Sequence, residues 1–310
     1  MSVNAPFPIQ PDLTAIAVLY KNRKMIADLV APRRVVAKQE FKYLKHDMSE
    51  GFTVPDTRVG RKSAPNQVEF TATEVVDATQ DYGLDDMIPQ ADIMNAPINY
   101  NPLGVATERL SNLIELDREV RTASLVFTAG NYATANKQTL SGTSQFSDYT
   151  NSDPLGVIQT ALDSMVMRAN KMVIGRAAFS KLAMHPKIVK AFFGSAGDSG
   201  IATREFIAQL FELDEIIVGE SFVNTAKKGQ AASLARAWGK HIALLNVDNL
   251  ADINSGTTFA LTAQFGSRVA GSMPDPDIGL RGGQKLRVGE SVKEFITAPD
   301  LGYLITDAVA

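Results

Sequence analysis

Apolar and polar positions along this chain follow two rhythms, and each predicts a kind of element. Between Gln67 and Val75, Val68, Phe70 and Ala72 alternate with Glu69, Thr71 and Thr73, a period of two that predicts a half-buried strand. Glu40–Lys45 predicts its partner, and the intervening Gly51–Asn66, with Pro55, Gly60 and Pro65, is far longer than a tight hairpin needs. A long hairpin with a polar tip buries little of itself, so it is expected to pack on something else, such as a neighbouring subunit. A period near 3.6 takes over after Asn101-Pro102, a cap followed by proline in the first turn. Leu103, Ala106, Leu110, Leu113, Ile114, Val120 and Phe127 form its stripe, Gly130 can end it, and the helix predicted over 102–129 spans about 40 Å.

Asn131–Asn151 is polar and reads as a boundary. Beyond it come a helix opened by Ser152-Asp153-Pro154, with Val157, Ile158, Ala161, Leu162, Met165 and Val166 as its stripe, and a buried strand Met172–Gly175. Helices Arg176–Met184 and Lys187–Phe193 follow, broken at His185-Pro186, then a helix capped by Thr203 and a strand Glu215–Gly219. Strands are expected at Lys240–Asn246 and Thr257–Ala263, and two paired antiparallel strands at Leu286–Thr297 and Leu301–Ala308. The proline-interrupted residues 1–20 read as an extended arm, with a short helix around Leu13–Arg23. No strand–helix repeat of constant period occurs, so the fold class is α+β rather than a doubly wound sheet.

Composition narrows the chemistry. The 310 residues carry no cysteine, which excludes disulfides, thiolate metal sites and a thiol nucleophile. Three scattered histidines, His46, His185 and His241, do not make a metal site. No apolar stretch approaches the ~20 residues of a membrane span, and the start of the chain lacks the pattern of a signal peptide, so a soluble intracellular product is expected.

The net charge of −3 conceals an uneven distribution. Lys21–Lys45 holds eight basic residues against Asp28 and Glu40, whereas residues 63–108 hold eight acids and no Lys or Arg. One reading is self-complementarity, the basic arm of one copy meeting the acidic flank of the next, in a contact that closes rings or lattices and weakens with salt. The other is two solvated faces that meet within one chain or not at all.

Several strings imitate chemistry without its context. Gly197-Asp-Ser-Gly200 resembles a serine-protease nucleophile loop but lacks the partners of one, and Arg281-Gly-Gly-Gln-Lys285 lacks phosphate-loop spacing. Asp77, Asp81, Asp85 and Asp86 lack the order of a calcium loop. His185 reads as a capping or packing residue and His241 as a packed histidine. Nothing assembles nucleophile, base and oxyanion hole, so neither an enzyme nor a cofactor is expected.

In order along the chain, the basic arm and long hairpin, the helix at Pro102–Ala129, Met172-Val-Ile-Gly-Arg-Ala-Ala-Phe-Ser-Lys-Leu-Ala-Met-His-Pro-Lys187, Gln209–Glu220 with Asn224-Thr-Ala226, and the ending Val288-Gly-Glu-Ser-Val292 with Ala298–Thr306 resemble the HK97-fold major capsid proteins of tailed bacteriophages. The resemblance implies an N-terminal arm at 1–38, an extended E-loop hairpin at 39–82 and a peripheral domain at 83–151 built on a spine helix. It further implies an axial domain at 152–260 and C-terminal strands at 261–310 returning to these sheets. Copies would form the pentamers and hexamers of an icosahedral head in the virion, assembled in the host cytoplasm. Their partners would be a scaffolding protein, a portal, a decoration protein in some heads, and packaged DNA held by weak non-specific contact, with no membrane. So few residues precede the hairpin that the scaffold is expected to be a separate protein, or a segment cleaved before this chain's start. An encapsulin-like nanocompartment shell is the alternative, and a soluble enzyme a more distant one. In the capsid reading the residues that matter are interfacial: Arg33, Arg34, Lys38, Arg58, Arg61 and Lys62 on the basic side, with Glu69, Glu74, Asp77, Asp81, Asp85 and Asp86 opposite. Reversing Arg33 and Arg34 to Glu is then expected to leave a folded protein that fails to assemble.

Overall fold

Two sheets meet along one long helix. The structure is a computed structural model of the chain, and it describes residues 9–19, 25–46, 52–68, 72–194, 200–227, 229–253 and 256–310.

The first sheet begins near the N-terminus. Helix α1 (Pro11–Leu19) and the single turn α2 (Ala27–Val30) lead into strand β1 (Arg33–Val36). A hairpin follows, of β2 (Glu40–His46) and β3 (Ala72–Ala78), in register from Glu40 opposite Ala78 to His46 opposite Ala72. After Thr79 the chain continues as β4 (Gln80–Pro89) and the short α3 (Gln90–Met94). With the long strands β11 (Ala260–Asp275) and β12 (Gly283–Ile296), these form a sheet ordered β1-β11-β12-β4, the β2–β3 ribbon leaving it on its own. A bulge in β11 between Phe265 and Val269 includes Gly266, whose φ of 67° suits glycine.

Helix α4 (Pro102–Val126) lies across this sheet. The Asn101 side chain accepts from the Gly104 N–H and Pro102 occupies the first turn, as the cap-then-proline pattern predicts. Its 25 residues extend about 38 Å. Ala106, Leu110 and Ile114 pack with Leu13, Ala17, Ile88, Ala270, Leu286 and Val288.

The second sheet is ordered β5-β13-β10-β6-β7. It comprises β5 (Lys137–Thr139), β6 (Lys171–Gly175), β7 (Glu215–Gly219), β10 (Ile242–Leu245) and β13 (Gly302–Thr306). Helices α5 (Pro154–Ser164), α6 (Arg176–Ala183), α7 (Pro186–Phe193) and α8 (Arg204–Leu210) cover one face, burying Ile158, Leu182, Ile188 and Ile207 against Met172, Ile174 and Leu244. The other face meets the end of α4, where Val126 and Ala123 pack with Val173, Ile217, Leu245, Phe259 and Trp238. Both faces are covered, which is why these strands read as short continuous apolar runs. A ribbon of β8 (Phe222–Asn224) and β9 (Leu234–Arg236) precedes Trp238.

Trp238 is fully buried beside the paired strand-end glycines Gly175 and Gly219. A Cβ on Gly219 would lie 2.1 Å from the indole Cγ, so the glycine makes the ring's space.

The structure corrects several expectations. The second hairpin strand is 72–78 rather than 67–75, and β4 was not foreseen. β4 exposes most of its side chains and so shows no alternation. The spine helix stops at Val126, capped by Phe127, before Gly130. Leu113 and Val120 face outward, while Arg118 and Glu119 occupy the buried stripe. Val166 is exposed because α5 has already ended at Ser164. The expected terminal hairpin does not form: β12 pairs with β11 and β4, and β13 joins the other sheet beside β10 and β5. The first helix spans 11–19, and the strand expected at Thr257–Ala263 begins at Ala260 and runs on to Asp275.

Candidate interaction surface and buried charge network

Two polar centres, neither foreseen in the sequence, sit on the buried face of α4. The first is Glu119. Its carboxylate accepts from the backbone N–H of Ile26 at 3.0 Å and of Ala27 at 2.9 Å, from Trp238 Nε1 at 2.6 Å and from Ser221 Oγ at 3.3 Å. It ties the start of α2, the spine helix and the β8–β9 region together. Burial pushes its pKa up, and the donated hydrogen bonds only partly oppose that.

The second centre is an ion network. Arg33 contacts Asp28 and Glu290, both at 2.8 Å. Arg268 holds Glu290 at 3.0 Å and Glu115 at 3.1 Å. Arg118 reaches Asp28 at 2.5 Å and Glu294 at 3.4 Å, and also donates to the Ala31 carbonyl and Thr262 Oγ1. Arg121 joins Glu294 to Asp117 and lies over the Tyr82 ring. Burial raises the pKa of Asp28 and Glu290, but the facing guanidiniums outweigh it, and both carboxyls end below their ordinary values. Burial lowers Arg33, and Glu290 and Asp28 more than restore it. Thus residues 28–33, the spine helix and strands β11 and β12 are joined by charge as well as by apolar packing.

Against this geometry the twelve charges singled out in the sequence fall into distinct groups. Arg33 lies in the network, and Arg34 donates to the carbonyls of Ala251, Asn249 and Arg33. Glu74 pairs with Lys42 across the hairpin. Asp77 faces Lys293 at 3.6 Å, and Asp85 takes a two-pronged contact from Arg287 at 2.6 Å, with Lys285 at 3.3 Å. Asp81 accepts from Gln39 at 3.5 Å, and Asp86 is exposed. Lys38, Arg58, Arg61 and Lys62 are exposed, with no ion pair to a described residue. Glu69 lies outside the described residues. Much of the acidic run is therefore met by β12 of the same chain.

The strings that imitate chemistry have structural roles. His185 caps α7: its Nδ1 accepts from the Lys187 N–H, which leaves Nε2–H to donate to Ser152 Oγ at 3.0 Å. Ser152 in turn donates to the Asp148 carbonyl, so this buried pair holds no free base for a nucleophile. His241 Nδ1 accepts from the Asp307 N–H, and its ring meets Phe127. Asp77 and Asp85 face lysine and arginine rather than converging as cation ligands. Arg281-Gly282 is a turn into β12, and residues 197–199 lie outside the described set. Among the described residues no helix is long and apolar enough to cross a membrane.

Comparison with known proteins decides the family. The chain is 59% identical over 307 residues to the major capsid protein of Pseudomonas phage JBD67, covering 99% of each. This chain belongs to the phage major capsid proteins. Among solved structures it is similar to a phage-related protein of Bordetella bronchiseptica, with TM-score 0.75 and 22% identity over 98% of each chain. It also shares the fold of the capsid of cyanophage P-SCSP1u, with TM-score 0.59 and 12% identity over 93% of this chain and 90% of that one. No family model matches. The α+β fold is thus HK97-like, and the protein is a structural component of the phage head, a virion protein and not an enzyme. The nanocompartment and enzyme readings are not favoured.

Proposed function

We propose that this major capsid protein builds an icosahedral head from pentamers and hexamers around packaged double-stranded DNA, assembling in the host cytoplasm with a scaffolding protein and a portal, and in some heads a decoration protein. The supporting observation is the hairpin tip. Residues 52–68 are exposed throughout, Phe52, Val54, Val59 and Val68 among them, and apolar side chains on a projecting segment call for cover from another molecule. In this reading residues 1–38 are the arm, 39–82 the E-loop, 83–151 the peripheral domain, 152–260 the axial domain and 261–310 the returning strands. The net charge of −3 suits a shell that encloses DNA without gripping it, since each phosphate contact adds sequence-independent affinity.

The interfacial role expected of the twelve charges is narrowed to those without a partner in their own chain, chiefly Lys38, Arg58, Arg61 and Lys62. Particle size is the direct test. The chain is expressed alone, sized by light scattering and imaged by negative-stain electron microscopy. Shells, tubes or capsomer-sized rings are expected. A monomer or dimer that stays so at low salt and under crowding overturns the reading.

A further inference from the structure

A cleft of about 440 Å³ opens beside the ion network, lined by Val18, Asp28, Arg33, Glu115, Arg268 and Glu290, with Pro32, Gln264 and Ser267 completing its wall. It is far larger than the roughly 30 Å³ share of one water. Two observations mark it as incomplete. The adjoining network sets five carboxylates (Asp28, Glu115, Asp117, Glu290 and Glu294) against four guanidiniums, which leaves one negative charge over. Glu290 has a side chain 1% exposed and gives Oε2 to Arg33 and Arg268, while its Oε1 is buried with no hydrogen-bond partner. A buried carboxylate oxygen without a donor is costly, so the site favours an added cation. A bare divalent ion is opposed by Arg33 and Arg268 in the same wall. A guanidinium or ammonium on a flexible stem can approach the carboxylates from the mouth, where Asp28 is half-exposed.

We propose that this cleft is a docking site for the basic hairpin tip of a second copy of the chain, with Arg58, Arg61 or Lys62 supplying the missing charge. The inference rests on the shell reading and deepens it by naming the two surfaces that meet. Charge complementarity selects the occupant. The tip holds three cations within five residues, all exposed and none ion-paired to a described residue. The lysines and arginines of β12 are already spent on β4 and β3 of their own chain.

The absence of cysteine makes the test clean. Ser267, exposed in the β11 bulge on the cleft wall, is replaced in Ser267→Cys, and this is combined with Arg61→Cys in the tip. Particles are oxidised and run on a non-reducing gel. A ladder of covalent dimers and larger oligomers is expected. Ser267→Cys with Leu280→Cys, at the far β11–β12 turn, is expected to give none. Particles that form normally yet give no ladder overturn the docking site and leave the shell reading standing. A disulfide within one chain between Ser267→Cys and Arg23→Cys assigns the cleft to the chain's own residues and also overturns it. Failure of the unaltered chain to assemble removes the shell reading and this inference with it.

Discussion

Replacing Arg33 by Glu separates a folding role from an assembly role. On the sequence alone this charge reads as interfacial, and its reversal should spare the fold. The structure places it between Asp28 and Glu290, 2.8 Å from each, with 22% of its side chain exposed. Reversal removes one of the two guanidiniums on a sealed carboxylate and sets a third acid beside two others. Breaking a buried ion pair costs about 3–5 kcal/mol. The partial exposure of Arg33 places the expected loss near the lower figure, about 3 kcal/mol, because water screens part of it. Trp238, the single tryptophan and fully buried, reports unfolding directly. Urea denaturation of the unassembled subunit followed by its fluorescence gives the difference in stability.

The pH dependence adds an independent check. Asp28 and Glu290 are held below their ordinary pKa in the folded state. Their contribution is therefore complete above the unfolded carboxylate pKa of about 4, and is lost as pH falls through the lower folded values. The gap between the parent and Arg33→Glu should narrow on acidification over that range. Stabilities equal within about 0.5 kcal/mol at neutral pH, the scale of an ordinary surface change, would refute the argument, as would a gap that ignores pH.

Glu119→Gln should cost about 1–3 kcal/mol, because its amide nitrogen must face one of the donors Ile26 N–H, Ala27 N–H or Trp238 Nε1. Burial raises the Glu119 pKa, so its contribution is complete below the unfolded value and is lost as pH rises through the folded one; the variant should lack that dependence, as urea curves across pH will report. Gly219→Ala should cost about 1–3 kcal/mol through collision with the Trp238 ring, read as a lower urea midpoint and altered tryptophan emission.

The sequence made some elements legible because their cause is local. Asn101-Pro102 and Thr203 start helices where caps and prolines say they should, and Gly175 and Gly219 end strands beside a tryptophan. Strand β4 was hidden because acids on an exposed strand leave no alternation to read. The buried charges were hidden for another reason. Leu286, Val288 and Val292 share the face of β12 turned inward, and the same period carries Glu290 and Glu294 onto it. On α4, Leu110 and Ile114 lead by four residues to Arg118. Extending each apolar period through its charged members would have placed acid opposite arginine. The pairing of β1 with β11 joins residues more than two hundred positions apart, and no local signal announces it.

That alternation also divides the charges by destination, and so locates the salt sensitivity of assembly. Charges on ordered strands meet partners at fixed register: Arg287 stands opposite Asp85, and Glu74 lies diagonally across from Lys42. Charges in the long hairpin connection have no opposite strand, and Arg58, Arg61 and Lys62 stay exposed. Exposed charges are screened over about 10 Å at 0.1 M salt and about 3 Å at 1 M, whereas sealed ones are screened far less. Raising salt should therefore weaken association while leaving the Trp238 urea curve of the subunit nearly unchanged. Reversing Arg58, Arg61 and Lys62 together to Glu should mimic high salt, giving a subunit of parental stability that fails to form particles by light scattering. A triple variant that assembles like the parent, with the same salt response, places the assembly charges elsewhere. Lys38 and Asp86, the remaining exposed members of the original set without a described partner, would then be the ones to reverse.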